Sequence, residues 1–217
     1  MSRKIKGIVI AGIIFFTGLI GFCSYGFISQ KLTANQGIEH LEQREYQQAY
    51  EKLHKASGKF TLVWTKQKTD VLFYEGEALY CLERYDDAIQ VYDKLIEKEE
   101  SRAYSFKAFC FMGKGKEQEA LSVCDQGIKN LPQAGDIYCT KYGILAKQKK
   151  YKEGLEVLEK ALGQEELEDK QKVLFTRISA YESMFEYDIA YRYAKEYVKA
   201  YPKDENGKKE LTFLETR

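Results

Sequence analysis

Histidine is the scarcest of the side chains able to do chemistry: the 217 residues hold His40 and His54 and no other. Neither has a Cys, Asp or Glu at a spacing that suggests a metal site. His40 reads as filling a slot between helices and His54 as facing solvent. The chain has no Gly-rich phosphate loop, no Gly-x-Ser-x-Gly elbow and no His-Glu-x-x-His. Carboxylates are plentiful, yet runs such as "EKEES" and "EELED" read as solvated helix ends and turns. No catalytic residue, cofactor site or metal site emerges, so a non-enzyme is expected. Cys81, Cys110, Cys124 and Cys139 are the thiols beyond the N-terminal segment. Buried free thiols are the expected state, because cysteine packs as a small apolar residue. A Cys110–Cys124 bridge stays open.

Charge narrows the partners. Charged residues make up 31% of the chain and the net charge is +1. Setting aside Arg3, Lys4 and Lys6 leaves 31 basic residues against 33 acidic ones. That balance carries no nucleic-acid footprint. Two prolines, with many Leu, Ala, Glu and Lys, favour helix.

The N-terminus divides into a basic stub, 1–6, and an uncharged run, 7–28. As a helix the run covers about 33 Å, enough to cross a bilayer core. The preceding basic cluster puts the N-terminus in the cytoplasm and the rest outside. An uncleaved transmembrane signal anchor is the first reading. A cleaved signal peptide lacks a small-x-small site, and lipidation at Cys23 is disfavoured by bulky Phe22 before it. The spacings Gly7/Ala11 and Thr17/Gly21 suit weak pairing of two anchors. A domain facing the cytoplasm would change the class of partner.

The remainder must position any binding residues, and it is periodic. A pattern Y-x-x-A recurs at Tyr46–Ala49 and Tyr85–Ala88, as Glu117–Ala120, as Tyr151–Gly154 and again as Tyr187–Ala190. The small residues are spaced by 39, 32, 34 and 36. Twelve residues before each lies Gly37, Gly76, Ala108, Tyr142 or Ile178, the last two being large where a small residue is expected. Leu53, Tyr92, Cys124 and Leu158 follow four after the small residue, with Ala194 undersized. Pro132 and Pro202 close two of the copies. Small residues let two antiparallel helices approach, and large ones fill the space beside them.

This spacing resembles the tetratricopeptide repeat, a helix–turn–helix unit of about 34 residues. The family's tryptophan is missing throughout. The resemblance implies an all-α solenoid of about five units over 30–202, preceded by one transmembrane helix. A capping segment, 203–217, starts a helix at Asp204 or Asn206, with Leu211, Phe213 and Leu214 covering the last core. The long first connector carries Trp64, expected to cap the first hairpin's core, and Gly58, expected to end its second helix.

In the family, the first helix of each unit lines a concave face. Carried over residue by residue, that face is Asp70, Phe73, Glu77 and Tyr80, then Arg102, Ser105, Phe109 and Met112. It continues with Asp136, Cys139 and Lys147, then Lys172, Phe175, Ser179 and Glu182. Apolar anchors ringed by charge suit a partner's helix or extended peptide. One subclass grips acidic C-terminal peptides with a Lys/Asn/Arg clamp. Here those slots hold Phe73, Glu77, Ser105 and Phe109, so that clamp is absent. The expectation is a membrane-anchored interaction scaffold outside the cytoplasm, similar to anchored repeat proteins of bacteria. The alternative is a lipoprotein-like envelope protein binding a non-protein ligand.

Overall fold

The structure, a computed structural model, describes residues 24–59 and 64–217. They are all-α and form two compact units that part after Leu95. Among the described residues no helix is long and apolar enough to cross a membrane. The expected span, 7–28, lies outside them except for its last five residues.

The first unit holds two hairpins. Helix α1 covers 24–42 without a break, so 24–28 and the first repeat share one helix. It pairs with α2, Tyr46–Ser57. Helix α3, Lys66–Cys81, pairs with α4, Tyr85–Ile96. Ala49, Leu53 and Ala78 form one buried cluster and Ala34, Ala56 and Val71 another. A β-carbon on Gly37 would lie 2.6 Å from Leu53 Cγ, and one on Gly76 would lie 2.5 Å from the Tyr92 ring. The alternation of small and large side chains thus sets how closely each pair approaches.

The second unit holds three hairpins and a closing helix. They are α5 (Ser101–Gly113) with α6 (Glu117–Asn130), α7 (Gly135–Lys147) with α8 (Tyr151–Leu162), and α9 (Lys170–Ser183) with α10 (Tyr187–Ala200). Helix α11, Glu205–Leu214, follows. Ala120, Cys124, Ile137, Tyr138, Leu158, Ala161 and Val173 are fully buried in one core that α5 to α9 share. Ala190, Ala194, Tyr197 and Leu214 form a second. Gly154 and Ala190, like Ala49, Ala88 and Ala120, are buried where the repeat spacing puts them.

Each hairpin turns in the same way. Arg44, Glu83, Gly115, Lys149 and Phe185 have φ of 61°, 58°, 72°, 61° and 61°. Each stands two residues before its second helix. Around it, paired backbone bonds close the first helix: Lys149 N–H donates to Ala146 O and Lys150 N–H to Leu145 O, both at 2.9 Å. Such a left-handed closure satisfies carbonyls that the helix end would otherwise orphan. Glycine takes it freely at position 115; the other four positions hold it with L side chains.

The ends differ from expectation in three places. Trp64 does not cap the first core. It is exposed, and its indole N–H donates to Thr69 Oγ1 at 2.9 Å, over the first turn of α3. Thr65 caps that helix, accepting from Lys68 N–H. Phe213 is likewise exposed, leaving Leu214 and, in part, Leu211 to cover the last core. His40 is half-buried and bonds Glu45 at 2.6 Å beside the hairpin turn instead of filling a slot between helices. Asp204 does cap α11, its Oδ1 accepting from the Asn206 and Gly207 N–H groups. Gly58 follows the end of α2 with a right-handed φ of −75°.

Candidate functional site

The first helices of the second unit's hairpins line an open groove of about 550 Å³. From α5 come Phe109 and Met112. From α7 come Cys139, Thr140, Tyr142, Gly143, Ile144 and Lys147, and from α9 Lys172 and Thr176. Phe109 is 42% exposed, unusual for so large an apolar side chain, and its ring meets Phe106 edge-on at 6.3 Å. A β-carbon on Gly143 would meet nothing within 4 Å, so the glycine leaves the α7 side of the groove low. Two exposed lysines, Lys147 and Lys172, border the groove, and no carboxylate lines it.

Lys172 and Thr176 also line a second depression of about 360 Å³, with Asp169, Gln171, Phe175, Tyr197, Asp204 and Asn206. Here Tyr197 donates its hydroxyl to Asp204 and Gln171 Nε2 donates to Tyr197 Oη at 3.0 Å. Burial pushes the Tyr197 phenol up to about 12, while the tyrosine hydrogen bond holds the Asp204 carboxyl below its usual range. The adjoining depressions present an apolar end, two cations and a polar end.

Beneath the groove Ser105, Asp136 and Thr140 are buried together. Ser105 Oγ donates to Asp136 Oδ2 at 3.1 Å, joining α5 to α7. Thr140 Oγ1 lies 3.0 Å from Ser105 Oγ and 3.0 Å from the Asp136 carbonyl. Burial raises the Asp136 carboxyl; the Ser105 bond and the Lys172 charge pull it back in part. Burial also raises the Cys139 thiol.

The structure sorts the expected concave-face residues. Phe109, Met112, Cys139, Lys147 and Lys172 come together in the larger groove, and Phe175 joins Lys172 in the smaller. Four residues expected at the surface are buried, Cys139 among them in the wall of the groove. Phe73 is buried with its ring 6.4 Å from that of Tyr92, and Ser105 and Asp136 bond one another. Each points at a neighbouring helix because first helices pack side by side as well as on their own partners. Glu182 is half-buried, and burial and the nearby Glu210 of α11 raise its carboxyl. Ser179, also half-buried, accepts from Ser183 Oγ through its carbonyl. Asp70, Glu77, Tyr80 and Arg102 are exposed, the Tyr80 ring meeting Tyr85 at 5.5 Å. Partial desolvation of the otherwise exposed Glu77 raises its carboxyl.

Tyr142, Gly143, Thr140 and Thr176 line the groove without having been expected there. Tyr142 had a signal in the sequence, being large where the repeat wants a small residue. The histidines stay apart: His54 Nδ1 lies 2.7 Å from Oε1 of buried Glu75, while its own side chain is largely exposed. Cys110 and Cys124 are free, buried thiols.

Residues 35–105 and 75–135 match a family model described as "Tetratricopeptide repeat". No curated protein matches the chain. Among solved structures, TTC0263, a thermophilic TPR protein of Thermus thermophilus, is similar at 17% identity and a TM-score of 0.58. It is covered over 100% of its length by 87% of this chain. A tetratricopeptide repeat protein from Parabacteroides merdae is 13% identical with a TM-score of 0.53, over 86% of this chain and 72% of that one. MamA (41-end) from Desulfovibrio magneticus is 17% identical with a TM-score of 0.51, over 81% and 97%. At these identities the likeness is one of fold. The model match over 35–135 and the shared hairpin fold together support the tetratricopeptide-repeat family for this chain.

Proposed function

We propose that the chain is a protein-interaction scaffold whose second unit holds an apolar peptide segment carrying a carboxylate. The observation that supports this is the groove: exposed Phe109 and half-buried Met112 on one side, Lys147 and Lys172 bordering it, and no carboxylate in the lining. An apolar side chain of the peptide would rest against Phe109 and Met112, and its carboxylate would meet the lysines. The groove is open along its length, which suits an extended chain or helix better than a compact ligand such as a glycan fragment or lipid.

The second half of the proposal concerns place. The uncharged run 7–28 behind Arg3, Lys4 and Lys6 anchors the chain in the cell membrane, with the repeats outside the cytoplasm. Digestion of intact protoplasts with protease tests that orientation. Loss of the repeats with the cells intact supports it, and protection opposes it.

A displayed peptide library panned on the protein tests the groove. Enriched peptides should combine an apolar residue with a nearby acid or free C-terminus. Lys147→Glu with Lys172→Glu should weaken them about tenfold or more, equivalent to ~1.4 kcal/mol. Phe109→Ala should weaken them independently. Enriched peptides that bind all these variants equally would sink the reading.

A further inference from the structure

We infer that the start of α1 and the start of α3 together form a collar seated in the headgroup layer of an anionic bilayer, an inference that rests on the membrane anchoring proposed above. Three observations carry it.

The first is the surface of α1. Tyr25 and Ile28, 72% and 57% exposed, share one side of the helix. Phe27, also exposed, falls on the other side. A helix with exposed apolar side chains on opposite sides matches lipid surroundings. Only one turn later does the helix acquire a protein-facing side, at buried Gln30 and Ala34. No break separates the two regions, so residues 24–28, the described end of the uncharged run, pass straight into the packed repeat.

The second is the level of α3. Gln67 Nε2 donates to Phe27 O at 3.1 Å and to Gln30 Oε1 at 2.8 Å. Four residues on, Val71 packs with Ala34. Helices α1 and α3 therefore run in the same direction, and the residues before Gln67 project toward the start of α1. Exposed Trp64 is among them. From the far side of the connector Lys59 Nζ donates to Ser29 O at 3.1 Å, at the same level.

The third is the chemistry at that level. Tryptophan and tyrosine, with an apolar body and a polar tip, settle at the membrane–water boundary. Lys31, Lys66 and Lys68 lie within a turn or two of them, and Lys68 Nζ stands 5.6 Å over the Trp64 ring. Ammonium groups there meet anionic headgroups. The two described ends of the long first connector, at Lys59 and at Trp64, thus both lie near the base of α1 and widen that end.

Trp64 is the chain's one tryptophan, so the native full-length protein reports on itself. The experiment reconstitutes it in phosphatidylcholine vesicles containing phosphatidylglycerol, with acyl chains unbrominated, brominated near the headgroup, or brominated near the chain end. Flotation on a density gradient reads anchoring. The collar predicts blue-shifted emission, large loss with bromine near the headgroup and little loss with bromine at the chain end. Removing phosphatidylglycerol should reduce that loss. Flotation with emission that no brominated lipid quenches overturns the collar and leaves the anchor standing, whether or not the emission is blue-shifted by protein contact. Failure to float overturns both.

Discussion

Tyr142 and Gly154 face one another across the α7/α8 hairpin, where a β-carbon added to Gly154 would lie 2.8 Å from Tyr142 Cδ2. The pair inverts the arrangement of the first two hairpins, in which Gly37 and Gly76 on the first helix accept Leu53 and Tyr92 from the second. Here the first helix supplies the large side chain and the second the gap. Gly154→Ala gains about 0.5–1 kcal/mol of helix propensity but overpacks the Tyr142 ring at roughly 1–3 kcal/mol. The net expectation is a loss of about 1 kcal/mol in urea unfolding. In a Tyr142→Leu background the same substitution should become stabilising. A stabilising Gly154→Ala in the native background would refute the fit.

Phe185 holds the hairpin turn before α10 at a φ of 61° while 77% exposed. A left-handed L residue costs roughly 1–2 kcal/mol. The ring recovers little, touching Tyr187 edge-on at 6.3 Å. Phe185→Gly should raise stability by about 0.5–1 kcal/mol after glycine's own entropy cost. Thermal unfolding reads the change; a lower Tm would show that the ring contact outweighs the backbone relief.

Glu182 makes the second unit sensitive to pH. Burial, then the hydrogen bond and charge of Glu210, push its carboxyl up from 4.5 to about 8. The folded state therefore holds a proton that the unfolded state releases near 4.5. Stability from this group is fully present at acid pH, falls as pH rises, and is lost through about pH 8. Glu182→Gln should flatten that slope and stabilise the protein above neutrality. The gain should be on the order of 1 kcal/mol, since solvent screens a half-buried group. Unchanged unfolding curves across pH 5–9 (roughly this window) would remove the coupling to α11.

The thiols should resist alkylation while the fold persists. Burial pushes Cys110 and Cys124 up to about 12 and raises Cys81 and Cys139. Thiolate, the reactive form, is then scarce at neutral pH. Native labelling followed by mass measurement should modify Cys81, the least buried of the four, well before Cys110 and Cys124. Denaturant without reductant should expose all four. Rapid native labelling at Cys124 would place it outside the core.

The hairpins were legible in the sequence because their determinant is local. Tyr46, Tyr85, Glu117, Tyr151 and Tyr187 each open a second helix, as the recurring pattern indicates. Asp204 caps α11 for the equally local reason that its side chain reaches the next backbone N–H groups. Which first-helix residues stay accessible was a different question. Phe73 and Phe109 occupy corresponding helices and have the same chemistry, yet one is buried against Tyr92 and the other borders the groove.

By itself the sequence determined the period and the small-for-large exchanges. Each depends on residues within about forty positions of one another, and on steric fits that residue volume alone expresses. The tertiary structure decided which side chains meet across repeats: Ser105 with Asp136, Glu182 with Glu210, Lys147 with Lys172 about one groove, and Gln67 with Phe27. Those encounters depend on the rotation and offset between successive hairpins, which many packed contacts set together and no single spacing encodes.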